Sequence, residues 1–208
     1  MAIRMHCAFL ILGNKDTSME LDLEGEETFG KATSWLYAKL VGPAANRIFY
    51  KFVISDIMKS KARSILDVGT GPGLVPAELA AKNPKLAVYA VDPSPYMLGH
   101  ARKRTRGKVK LAIGYSLSVP FRRKFDMIIS SASFHHWAHK KESLIYLARF
   151  LNKGGEIRIY EFSKHGVSLF GSHSMSIEQL RSAAEGTGLK VKGILVSRGR
   201  VRAIYSKG

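Results

Sequence analysis

Residues 64–73 read Ser64-Ile65-Leu66-Asp67-Val68-Gly69-Thr70-Gly71-Pro72-Gly73, a short apolar run that ends on an acid and opens into alternating glycines. An apolar run of this length reads as a buried strand, and Leu74 to Lys82 beyond it has helical spacing. Strand, glycine turn and helix in that order form the first half of a parallel crossover unit. Glycines at alternate positions let the backbone approach a ligand closely at the turn.

The alternation continues outward. Further strands are expected at Ala87 to Val91, Val109 to Ile113, Met127 to Ser131 and Glu156 to Phe162, with helices at Tyr96 to Arg104, Lys141 to Leu151 and Ile177 to Gly186. Ser176 and Gln179 predict a capping box at the last helix. Lys190 to Val196 and Val201 to Tyr205 then read as an antiparallel hairpin turning at Ser197 to Arg200. The fold class is α/β: a Rossmann-like, seven-stranded, mostly parallel sheet with helices on both faces and a C-terminal antiparallel hairpin. Before the first strand, Phe29, Trp35, Leu36, Leu40, Ile48, Phe49, Phe52, Val53 and Ile57 predict two amphipathic helices interrupted at Gly42-Pro43. Residues 1–27 are expected to be an N-terminal extension and 28–208 one domain, with 28–60 its helical cover.

With 208 residues, 46% of them apolar, the chain can bury one sizeable core. Cys7, the single cysteine, can neither close an intramolecular disulfide nor build a multi-cysteine zinc site, so no metal is expected. A reducing, cytoplasmic location fits that usage, and the apolar run from Cys7 to Leu12 is far short of a transmembrane segment. The net charge of +17 is unevenly spread. Asp16, Glu20, Asp22, Glu24, Glu26 and Glu27 crowd one N-terminal stretch, whereas Pro93 to Phe125 and Lys190 to Lys207 contain no acid at all. Such runs suit either a polyanion such as RNA or a solvated surface.

The glycine turn also discriminates between ligands. A dinucleotide fingerprint starting at Gly69 would place its third glycine on Leu74, so that pattern fails by one residue. Asp67 at the strand end would repel pyrophosphate but suits the ammonium and sulfonium charges of S-adenosylmethionine. Asp92 closes the next strand, where its two oxygens can accept from both ribose hydroxyls. Strand ends meet at the crevice of an open sheet, so Asp67, Asp92 and the segment after Ser131 are expected to line one pocket.

Ile65 to Gly73, Val91-Asp92, the strand Phe125 to Ile129 and the turn Leu151 to Ile157 together resemble the class I methyltransferase family, in its ubiquinone and menaquinone C-methyltransferase-like (type 11) branch. The resemblance covers about Thr28 to Tyr205. It implies S-adenosylmethionine as cofactor and S-adenosylhomocysteine as product, with Gly69, Thr70, Gly71 and Gly73 under the methionine moiety and Asp92 on ribose. Pro93, Ser94 and Met97 then border adenine, and Ser131 lies at the pocket edge. Where the family commonly has Gly-Asp after the third strand, this chain has Gly114-Tyr115-Ser116, so Tyr115 or Ser116 would meet the base instead.

After the fourth strand, Ser133-Phe134-His135-His136-Trp137 places two imidazoles near the expected sulfonium. His135 is the first candidate for a base that takes an acceptor's proton, with His136 beside it. Packing is the alternative role for either ring, since alignment alone can drive methyl transfer. The leading expectation is transfer to a small-molecule or lipid-like acceptor. Methylation of RNA or a ribosome-associated protein, guided by the basic runs, and non-catalytic binding of S-adenosylmethionine are the alternatives.

Overall fold

The computed structural model describes residues 47–163 and 174–208. The first of the two expected N-terminal helices and the extension at 1–27 lie outside the described residues. The second helix is α1 (Arg47–Met58), which buries Phe49, Val53, Ile54 and Ile57 along one face. There follow β1 (Ser64–Val68), α2 (Leu74–Lys82), β2 (Ala87–Asp92), α3 (Pro95–Thr105), β3 (Lys110–Ile113) and β4 (Phe125–Ser131). After a 3-10 turn at Phe134–His136 come α4 (Lys140–Ala148), β5 (Leu151–Ser163), β6 (Ser174–Met175), α5 (Ile177–Ser182), β7 (Leu189–Ser197) and β8 (Arg200–Lys207).

The sheet order is β3-β2-β1-β4-β5-β8-β7. Strands β1 to β5 run parallel, and β8 and β7 add antiparallel at one side. The order reverses direction between β1 and β4, so a crevice opens beyond the C-terminal ends of these strands. Two-residue alternation divides the core between the sheet's faces. Ile65, Val88, Ala90, Met127 and Ile129 pack with α1 and α2 on one side. Leu66, Val68, Val91, Ile128, Ile157 and Ile159 pack with α4 and α5 on the other.

Local chemistry sets the boundaries. Ser94 caps α3 by accepting from the Met97 amide at 3.3 Å, and Pro95 sits in the first turn, where its missing N–H costs nothing. The capping box at α5 forms as expected, with Ser176 and Gln179 bonding reciprocally. Arg198 and Gly199 both have positive φ, 47° and 75°, which makes the β7–β8 connection a two-residue type I′ turn.

Four elements differ from the sequence-based expectation by more than two residues or in kind, the first being β5, which opens at Leu151 and not Glu156. Helix α4 stops at Ala148, not Leu151, because Leu151 pairs with Phe125 and starts β5. Helix α5 stops at Ser182, not Gly186, and its tail continues as i→i+3 turns at Ala184 and Glu185. An eighth strand, β6, adds two residues beside the end of β5.

Candidate active site

The glycine turn is tied to the end of β2. The Gly69 and Thr70 amides both donate to Val91 O at 3.0 Å, and the Gly71 amide donates to Asp92 Oδ2 at 2.7 Å. Asp92 Oδ1 accepts from the Ser94 amide at 2.9 Å, so one carboxylate joins the turn to the start of α3. Gly69, Gly71 and Gly73 have φ of 75°, 54° and 75°, a region that side chains rarely tolerate. A Cβ on Gly73 would lie 2.8 Å from Ala101 Cβ, so that glycine also lets α2 and α3 meet. A Cβ on Gly71 would have nothing within 4 Å, which leaves open space over the turn.

Asp67 is 1% exposed. Its Oδ2 accepts from the Thr70 hydroxyl at 2.7 Å, and its Oδ1 is a buried oxygen with no hydrogen-bond partner. Burial is the main force on this carboxyl; with the nearby Asp92 charge it outweighs the Thr70 bond and pushes the pKa up to about 7. An orphaned, buried acid beside open backbone calls for a cationic donor, which is what the ammonium of S-adenosylmethionine offers.

The post-β4 segment lies directly on this turn. A Cβ on Gly69 would come within 2.8 Å of Ser133 Cβ, and Ala132 is held at φ 50°, a strained conformation for alanine. The 3-10 turn beyond is braced by Lys140 Nζ, which donates to Trp137 O at 2.6 Å and His135 O at 3.2 Å. Phe134 and Trp137 pack edge to face underneath at 5.0 Å.

His135 is anchored by Glu161, a fully buried acid of β5. Glu161 Oε1 accepts from the His135 amide at 3.1 Å, and Oε2 lies 2.9 Å from Nδ1. A carboxylate only accepts, so in this contact Nδ1 is the donor. The His136 ring is tilted against His135, with centroids 3.9 Å apart.

Glu161 is the residue of this cluster that sequence reasoning missed. Its signal was an acid inside the apolar run Ile157 to Phe162, on the strand next to the histidines.

The remaining expected residues fall around this centre. Pro93 and the buried Ser94 and Met97 lead into α3 beside Asp92, and Ser131 closes β4. The Gly114 amide donates to Asp92 O at 3.3 Å, which brings the Tyr115–Ser118 hairpin to the same strand end. Ser116 is 1% exposed and its Oγ accepts from Ser143 Oγ at 2.8 Å, so this hydroxyl also ties the hairpin to α4. The basic run from Arg102 to Lys124 gathers largely at the opposite end of the sheet, where α3 ends and β3 and β4 begin. No helix among the described residues is long and apolar enough to cross a membrane.

A family model described as a methyltransferase domain matches residues 65–155, the stretch from β1 through the glycine turn to the start of β5. A demethylmenaquinone methyltransferase of Deinococcus radiodurans is 26% identical over 141 residues, covering 66% of this chain and 58% of that protein. A ubiquinone/menaquinone biosynthesis C-methyltransferase of a Geobacter species is 27% identical, covering 65% of this chain and 60% of its own length. The chain thus spans under two thirds of these relatives. A solved TehB-like S-adenosylmethionine-dependent methyltransferase of Corynebacterium glutamicum superposes with a TM-score of 0.68 at 19% identity, covering 86% of this chain and 100% of that one; this likeness speaks to the fold. Domain match, relatives and sheet topology agree: residues 65–155 match a methyltransferase domain, set in the sheet order shared with S-adenosylmethionine-dependent methyltransferases, and the chain is similar to ubiquinone and menaquinone C-methyltransferases.

Proposed function

We propose that this protein methylates a small-molecule acceptor, using His135 as the base that removes the acceptor's proton. The observation that carries this reading is the His135–Glu161 pair, seated against the glycine turn through Ser133. Bound S-adenosylmethionine supplies an electrophilic methyl group and leaves as S-adenosylhomocysteine.

Asp67 Oδ1 takes the cofactor's ammonium. The backbone from Gly69 through Thr70 and Gly71 to Gly73 underlies its methionine moiety. Asp92, whose two oxygens accept the Gly71 and Ser94 amides, presents its carboxylate to the ribose hydroxyls. Pro93, Ser94, Met97, Tyr115 and Ser116 border the base, and Ser131 the pocket edge. Glu161 holds the imidazole in the tautomer whose Nε2 can accept, and Nε2 takes the proton of a hydroxyl or an activated ring carbon as its electron pair forms the new bond to carbon. His136 supports that ring. Two of the relatives bear names of quinone methyltransferases, which favours an apolar ring acceptor.

The test is transfer of labelled methyl from S-adenosylmethionine into cell extract, separated into small-molecule, lipid, RNA and protein fractions. Label in the first two is expected; label in RNA or protein would overturn the acceptor class. Glu161→Gln probes the base. The Gln oxygen must stay on the His135 amide, so its NH2 faces Nδ1 and drives the ring proton to Nε2. Transfer should fall about 100-fold or more with cofactor affinity unchanged. An undiminished rate would leave His135 as packing.

A further inference from the structure

Among the described residues, seven cations gather at one pole of the sheet. Lys61 and Arg63 precede β1, Lys85 precedes β2, Lys108 precedes β3, and Arg122, Arg123 and Lys124 precede β4, and all seven are exposed. These positions share the pole at the N-terminal ends of the parallel strands, and the cofactor turn and His135 sit beyond the C-terminal ends. A five-residue strand such as β1 separates the two by roughly 17 Å.

Among the described residues, the acids at this pole are mostly engaged. Asp126 accepts from the Arg63 and Ser64 amides at 2.8 and 3.1 Å and from Asn152 Nδ2 at 2.6 Å. Glu156 pairs with Arg158, and Asp56 with Arg158 and Arg202. Glu78 pairs with Lys82, and Glu185 stands exposed towards the β7 side.

The basic residues are also built into the surface. Arg123 lies over the rings of Tyr89 and Phe125, 4.6 and 5.3 Å from their centroids, and its Nη1 donates to Tyr89 OH at 2.7 Å. Lys110 Nζ approaches the same tyrosine ring at 5.3 Å. A guanidinium fixed in this way has already lost much of its rotamer freedom, so less is lost when it meets a phosphate.

We propose that this pole docks the phosphate backbone of a nucleic acid, which serves as an anchor and not as the methyl acceptor. A bilayer is the weaker fit. Peripheral proteins hold lipid with inserted apolar side chains, and among the described residues Met58 alone of the exposed large apolar side chains lies in the turns of this pole. Backbone docking needs only cations in register with phosphates, and separation from the crevice leaves the acceptor site to a small molecule. This inference does not rest on the acceptor reading, and its test reads binding.

The experiment is fluorescence anisotropy of the whole protein with a labelled duplex of about 20 base pairs and arbitrary sequence, from about 50 to about 200 mM salt. The wild type should bind at low salt with a steep salt dependence. Combined Arg122→Glu, Arg123→Glu and Lys124→Glu should lower the slope of log affinity against log salt by about 2.7, because each phosphate contact contributes about 0.9. Cofactor binding, measured in parallel, should stay unchanged and so report an intact fold. Lys51→Glu, Lys141→Glu and Arg198→Glu together remove as many cations elsewhere and should leave the slope near wild type. An equal loss in both variants would reduce the effect to net charge and overturn the proposal, as would no binding at low salt. Binding to phosphatidylglycerol vesicles in place of the duplex would overturn the partner assigned. Methyl label entering the duplex would overturn its role as an anchor.

Discussion

Replacing Asp67 by Asn isolates the cost of holding a carboxyl in the cofactor crevice. In the folded chain burial raises this group to about 7 from its ordinary 3.8. Between those two values the folded state keeps a proton that the unfolded state has released. Stability therefore falls as pH rises from about 4 to about 7 and changes no further above that. A gap of about three pH units at roughly 1.4 kcal/mol each sets the penalty at about 4 kcal/mol at neutral pH. Asn keeps an oxygen for the Thr70 hydroxyl and has no charge to bury. The variant without cofactor should therefore resemble wild type near pH 4 and exceed it by up to about 4 kcal/mol at pH 7.

Urea denaturation of both proteins across this range reads the difference, since titrating groups that do not interact with Asp67 cancel, and Asp92, the smallest of the causes acting on Asp67, alters it least. Cofactor binding should show the reverse preference. The ammonium needs the ionised carboxylate, so wild-type affinity should rise about tenfold per pH unit below 7, with proton release visible by calorimetry in two buffers. Asn should lose that dependence together with a charge-assisted bond of about 1.5–3 kcal/mol. Denaturation midpoints that differ by a constant amount at every pH would refute the reasoning, because the carboxyl would then titrate alike in the folded and unfolded protein.

The remaining predictions concern the walls of the same turn. Asp92→Ala removes acceptors from the Gly71 and Ser94 amides as well as from ribose, so cofactor affinity should fall about 100-fold or more by calorimetry; full affinity would contradict the pocket assignment. Gly73→Ala must strain a φ of 75° and push against Ala101, so thermal or urea denaturation should show a loss of about 2–4 kcal/mol. Gly71→Ala, strained but uncrowded, should cost only about 1 kcal/mol.

Local signals made much of this fold legible. β1 appears at its expected residues because the apolar Ile65, Leu66 and Val68 form a short run bounded by Arg63 and Gly69. The Ser176–Gln179 box could be read because both partners lie within one turn of helix. Where an outcome depends on a distant partner, the sequence falls silent. Leu151 continues the apolar pattern of α4, and only its pairing with Phe125 assigns it to β5. The two residues of β6 are too few to carry a period, and their pairing with Phe162 and Ser163 defines them. The site divides along the same line. Asp67, the glycines and Asp92 could be read from strand ends, whereas Glu161 meets His135 across 26 residues and only because β4 and β5 are neighbours.

The two buried acids of the crevice differ in a way that separates binding from chemistry. Both Glu161 oxygens are satisfied from within the chain, by the amide and the ring of His135, so this pair is complete before any ligand arrives. One Asp67 oxygen is satisfied by Thr70 and the other by nothing. The folded protein thus carries an unmet electrostatic demand at Asp67, and a ligand cation that meets it recovers part of the burial cost as affinity. Placing that demand at the end of β1, beside the histidine pair that follows β4, couples cofactor capture to the turn on which Ser133 rests. The imidazole can then be prepared independently of the methyl donor, and the donor held independently of the acceptor.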